Sequence, residues 1–156
     1  LLTPYHVDRS KQFVRERFEG YDFVNFDLVT ECIDRTRFPV PPGDKYQGTA
    51  DLPGLTRAAD LVGQLGDPEY LRKIPALFYE FEELGRNEEI GCHSPGDLRR
   101  GYAQFFWEVA HRYVETAVEL LRLTQEGKEW VSRLHSHVFE CEHFLLSKDA
   151  GTGLIG

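Results

Sequence analysis

Apolar residues recur at helical spacing along most of the chain, and the intervals between them are marked by proline, glycine and capping residues. Val7, Phe13, Val14 and Phe18 fall at mixed three-, four- and seven-residue spacings before Gly20, which predicts a short first helix. Leu28, Val29, Cys32 and Ile33 predict a second, from about Asn25 to Thr36. The segment RFPVPPGDKYQGT that follows is a loop by every breaker signal. Asp51 as N-cap and Pro53 just inside open a third helix, whose Leu55, Ala58, Leu61, Val62 and Leu65 form one stripe. Gly66, Asp67 and Pro68 end it and begin a fourth, bent or broken at Pro75, continued through Leu84 and stopped by Gly85. Ser94-Pro95-Gly96-Asp97 starts a long helix to about Thr124, with Tyr102, Phe106, Val109, Tyr113, Ala117 and Leu120 on one face. Gln125-Glu126-Gly127 reads as a turn. A last helix from Lys128 to about Ser147 buries Trp130, Leu134, Val138, Cys141 and Leu145. A short connection between long amphipathic arms implies an antiparallel hairpin over 97–147. The expected class is an all-α helical bundle, one domain over residues 1–148, with 149–156 as a flexible tail.

Charge narrows the partners. Eighteen basic against twenty-six acidic residues leave a net charge of −8, which excludes a broad basic face for a nucleic-acid polymer. No apolar run approaches the roughly 18 residues of a membrane-spanning helix, and no signal peptide opens the chain. Cys32, Cys92 and Cys141 are odd in number and widely spaced, so they suggest neither a disulfide frame nor a zinc knuckle. A cytoplasmic protein fits these counts, with a homo-oligomer left open. The chain starts Leu1-Leu2 without methionine and ends in AGTGLIG, which reads as a fragment of something longer.

Within this pattern one charge is out of place. Asp60 lies in an alanine- and leucine-rich helix, and at roughly 100° per residue it points nearly opposite the apolar stripe. It is also too far along the helix for the N-terminal dipole to favour it. Two Glu-x-x-His tetrapeptides, Glu108 to His111 and Glu140 to His143, stand one on each arm of the hairpin, the spacing of carboxylate-bridged dimetal bundles. Helix position sets them on charged edges instead, so a solvated face is the preferred reading and a dimetal centre ranks third. His137 flanks the apolar stripe and reads as a hydrogen-bonded core histidine.

The segment LTRAADLVGQLGDPEYLRKIPALFYEF resembles the later helices of HD-superfamily metal-dependent phosphohydrolases, whose final conserved aspartate lies in an Ala-Asp-Leu setting. His6, in PYHVDRS ahead of a helix, is similar to a histidine that some members carry after their His-Asp dyad. The resemblance spans about Tyr5 to Phe81 within an HD-like portion of 1–85, and the hairpin would be an addition. It implies a divalent metal ion held in part by His6 and Asp60, with Asp60 also named as the catalytic residue. The metal would activate water against a small phosphorylated molecule. Arg37, Lys45 and Arg57 are the basic residues that could hold its phosphate. No His-Asp dipeptide occurs in the chain, although that dyad is the centre of the family's metal site. The alternative is a non-catalytic helical sensory or protein-interaction module, for which the surface around Asp60 would be shallow and partner-facing.

Overall fold

A computed structural model describes residues 5–152, with side chains described through Phe144. Every regular element in that range is helical, in the order α1 (His6–Phe18), α2 (Phe26–Arg35), a 3₁₀ turn (Asp44–Tyr46), α3 (Leu52–Leu65), α4 (Tyr70–Glu83), α5 (Arg86–Glu89), α6 (Pro95–Phe105), a π-turn (Phe106–Ala110), α7 (His111–Leu121) and α8 (Gln125–Thr152). The protein is all-α, as the periodicity predicts.

The helix starts follow from side-chain caps. Asn25 accepts from the Leu28 amide at 3.0 Å, and Asp51 from the Gly54 amide at 2.9 Å. Ser94 accepts from the Asp97 amide at 3.2 Å while its hydroxyl donates to the Asp97 carboxylate at 2.8 Å. Each cap satisfies an amide that the first helical turn leaves without a partner. Asn25, Asp51 and Ser94 are thus legible starts, whereas α8 begins earlier than the expected turn allows. Thr124 takes up the cap there, its hydroxyl accepting from the Gly127 amide at 3.0 Å, so Gln125 to Gly127 join the helix. At the other end α8 is carried to Thr152, past the expected tail boundary, while Leu145 and residues 153–156 fall outside the described side chains or residues. Pro75 does not break α4, which runs unbroken from Tyr70 to Glu83.

The core lies between α3, α6, α7 and α8. Leu61, Val62 and Leu65 of α3 meet Tyr102, Ala103 and Phe106, Val114 and Val118 of α7, and Leu134, Val138 and Cys141 of α8. The buried face runs from Tyr102 and Ala103 through Phe106 and Ala110 to Tyr113, Val114, Ala117 and Val118, at the three- and four-residue steps of one helical stripe. Val109 and Leu120, expected on the core face, are exposed. His137 is buried as expected, its Nδ1 2.8 Å from the Leu65 carbonyl.

α2 departs furthest from its pattern. Its expected apolar stripe, Leu28, Val29, Cys32 and Ile33, is only partly buried, and the residues sealed inward are Thr30, Asp34 and Arg35. Thr30 is satisfied by its own helix, donating to the Phe26 carbonyl at 2.8 Å. Asp34 and Arg35 are not. α2 packs between α1 and α3, and α3 in turn packs on α7, so apart from Glu31, which pairs with Arg35 within α2, the partners for these charges come from outside the helix.

Two glycines test this packing in opposite directions. A Cβ at Gly127 would lie 2.0 Å from the Leu121 carbonyl oxygen, so Gly127→Ala forces the α7–α8 connection apart. At Gly63 a Cβ meets nothing within 4 Å, and Gly63→Ala gains up to about 1 kcal/mol of helix propensity. Thermal unfolding is expected to show the first variant destabilised by more than about 1 kcal/mol and the second stabilised.

Candidate functional site

Asp34 is 6% exposed on α2 and collects donors from two other segments. Lys11 of α1 reaches Oδ1 at 3.0 Å, and Arg37 Nε reaches the same oxygen at 3.0 Å. From the 3₁₀ turn, Lys45 donates to Oδ2 at 3.2 Å and the Tyr46 hydroxyl at 2.9 Å. Arg37 also pairs with Asp8, tying the loop back to α1. Burial alone would raise the carboxyl pKa, but the hydrogen bonds from Lys11, Arg37, Tyr46 and Lys45 outweigh it and hold the group well below the carboxylate range. The same pairing raises the pKa values of Arg37 and Lys45. Arg37 and Lys45, the two loop cations assigned to a substrate phosphate, are thus both placed on an internal carboxylate.

Arg57, the third basic candidate, is 2% exposed. Its Nη2 donates to the Tyr46 carbonyl at 2.8 Å and more weakly to that of Gly48 at 3.4 Å, and its guanidinium lies 4.5 Å from the centre of the Tyr113 ring. Arg112 stacks on the same ring at 4.6 Å and hydrogen-bonds the Gln47 side chain. Arg35, 3% exposed, donates to the Gly48 carbonyl at 3.2 Å and pairs with Asp51 at 3.2 Å and Glu31 at 3.3 Å. Nε and Nη1 of Arg57 and Nε of Arg35 are buried without a partner. Burial first, and then the charge of Arg35, push the Arg57 pKa down. Segment 44–48 is in effect a strap, held on one side by Asp34 and on the other by Arg35, Arg57 and Arg112.

Asp60 is exposed on α3, and among the described residues it has no ion pair. Ala59 before it and Gly63 one turn after it line an open groove of about 380 Å³, with Leu55, Ala117, Leu120 and Trp130. His6 is exposed at the start of α1, a helix that packs chiefly on α2, whereas Asp60 belongs to α3 on the far side of α2. Among the described residues no group of three or more His, Cys, Asp or Glu is placed to hold a metal ion. Glu108, Glu140 and His143 of the two Glu-x-x-His motifs are exposed, and the half-buried His111 packs its ring against Phe106 and Trp107. Glu108 accepts from Gln104 at 3.1 Å, Glu140 pairs with Arg99 at 2.5 Å, and His143 stacks on Phe139 at 4.0 Å.

Sequence reasoning missed Asp34, Arg35, Arg112 and Tyr113. Asp34 carried one signal, its position between an apolar stripe and the basic, tyrosine-containing loop, but pairing across segments leaves no local spacing to read. Its removal is expected to be costly. Asp34→Asn should lose about 2 kcal/mol at neutral pH, because the charge-assisted hydrogen bonds of a buried carboxylate to part-exposed Lys11 and Arg37 and exposed Lys45 become neutral or are lost. A depressed folded pKa makes this stabilisation complete above the ordinary value of about 3.9 and erodes it as the pH falls through the folded value. Denaturant titrations at a series of pH values should therefore find the gap between wild type and Asp34→Asn widest near neutrality and narrowing below about pH 4.

Comparison with known proteins adds one match. No curated protein and no solved structure matches the chain. A family model described as Npun_R2479-like matches residues 1–144, which takes in every helix from α1 to α7 and the described side chains of α8. The chain belongs to the Npun_R2479-like family.

Proposed function

We propose that the chain forms the later part of an HD-like metal-dependent phosphohydrolase domain, in which α3 contributes Asp60 to a metal site. The observation that carries this reading is the contrast on α3. Arg57 and Asp60 are three residues apart, yet the first is sealed against the strap and the second stands exposed with no ion pair among the described residues. The helix spends its one other ionic side chain on structure and leaves the carboxylate of the Ala-Asp-Leu segment open. The small side chains of Ala59 and Gly63 keep the neighbouring surface low enough for another element to approach.

The described residues do not by themselves make a metal site. A hard divalent cation that activates water takes several imidazole and carboxylate ligands, and Asp60 belongs to no such group here. The proposal therefore assigns the remaining ligands to residues outside 5–144, and His6 enters as a ligand only if α1 is met by them. The groove beside Asp60 favours a second reading, a non-catalytic module that receives a partner on the α3, α7 and α8 face. Leu120 at 50% exposure and a floor of Ala59, Gly63 and Ala117 are what such a surface would offer.

Metal analysis separates the two. The longest natural polypeptide carrying these residues is expected to purify with a transition metal, and Asp60→Ala to lose most of it while the metal-free variant unfolds at the wild-type temperature. A wild-type protein that neither purifies with metal nor takes up manganese or iron, or a variant that keeps full metal content, would overturn the hydrolase reading.

A further inference from the structure

Beyond Asp60, the geometry points to an oxyanion site formed by Arg35, Arg57 and Arg112 beneath the strap, where a phosphate group displaces the carbonyls of Tyr46 and Gly48. It stands whether or not Asp60 holds a metal. Three guanidinium groups are gathered here by shared contacts, Arg35 and Arg57 on the Gly48 carbonyl and Arg57 and Arg112 on the Tyr113 ring. Their anionic complement is thin. Arg35 has Asp51 and Glu31, both well exposed, whereas Arg57 and Arg112 pair with no carboxylate among the described residues. Buried cations are ordinarily paired, and a buried guanidinium with two idle nitrogens is an expensive arrangement in a chain that carries twenty-six acidic residues.

The strap explains how the site is kept. The Tyr46 carbonyl at 2.8 Å and the Gly48 carbonyl at 3.2 Å are neutral acceptors standing where anionic oxygens would be stronger. The strap's outer tie is the hydrogen bond between Gln47 and Arg112, both exposed, and Gly43 at φ 110° begins it with a backbone that non-glycine residues rarely adopt. Phosphate and strap then compete for the same guanidinium groups. The competitor's population sets the apparent affinity.

That competition gives the test its sign. Inorganic phosphate is titrated at constant ionic strength, with chloride as the matched control, and the Nε–Hε resonances of the arginines are followed together with the unfolding temperature. Phosphate is expected to shift the Arg35 and Arg57 resonances saturably and raise the unfolding temperature, with chloride doing neither. Gln47→Ala, which frees the strap, should tighten apparent phosphate binding by about fivefold, the equivalent of one ordinary hydrogen bond. Arg112→Gln, which removes a cation from the same pair, should weaken it by about tenfold or more. Both side chains are exposed, so both variants are expected to fold. Opposite signs at the two ends of one hydrogen bond are what a competing strap requires. No saturable response, an equal response to chloride, or the same sign from both variants would overturn the assignment.

Discussion

A carboxylate sealed beneath α1 and the loop, and met there by four donors, is the constraint on which this half of the molecule rests. An unpaired charge in the position of Asp34 would be prohibitive, so the folded chain must bring Lys11, Arg37, Lys45 and Tyr46 to it together. Lys11 fixes the approach of α1 to α2. The other three fix the course of a proline- and glycine-rich segment that has no helix or sheet ladder to define it beyond one 3₁₀ turn. Ordering that segment costs conformational entropy in every residue, and the charge-assisted hydrogen bonds to Asp34 supply the offset.

The consequences run outward from the loop. Because Lys45 and Tyr46 are held on Asp34, the carbonyls of Tyr46 and Gly48 are presented to α3, where Arg57 reads them, and Gln47 faces Arg112 of α7. The strap therefore couples α2, α3 and α7 through polar contacts, while the apolar core couples α3, α6, α7 and α8. α3 and α7 are common to both, and they pack on each other.

This division explains what the sequence made legible. Helix starts were readable at Asn25, Asp51 and Ser94 because a cap is a local event, one side chain meeting an amide three residues on. The apolar faces of α3 and α8 were readable because they obey one helical period. Val109 and Leu120 were misplaced because each is apolar and lies three residues after a buried position, at the edge of the stripe, where spacing alone does not separate it from the buried Ala110 and the half-buried Leu121. Asp34 was hidden for a different reason: its partners stand between 3 and 23 residues away, and only the folded chain shows that a helix can turn its polar side inward. Of the basic residues assigned to a phosphate, Arg37 and Lys45 are marked by type and loop position, and Arg57 by its place one turn before Asp60. Such a choice cannot distinguish a cation free for a ligand from one already held by a buried carboxylate.

Asp60 is the converse case. An aspartate opposite an apolar stripe is ordinarily a solvated group, and its exposure alone would add nothing. Its setting adds something, because the ionic residues nearest in the helix sequence, Asp51 and Arg57, are both drawn into the strap network. Asp51 caps the helix and pairs with Arg35, and Arg57 lies inside. A helix so fully anchored at its polar first half is a rigid mount for whatever it displays further on, and rigid mounting is what precise placement of a ligand requires. Asp60 sits one turn beyond the last anchor, beside the low surface at Ala59 and Gly63. That fixed mount and clear approach are what the proposed role of Asp60 relies on, whereas a charge that only keeps the helix in water would need neither.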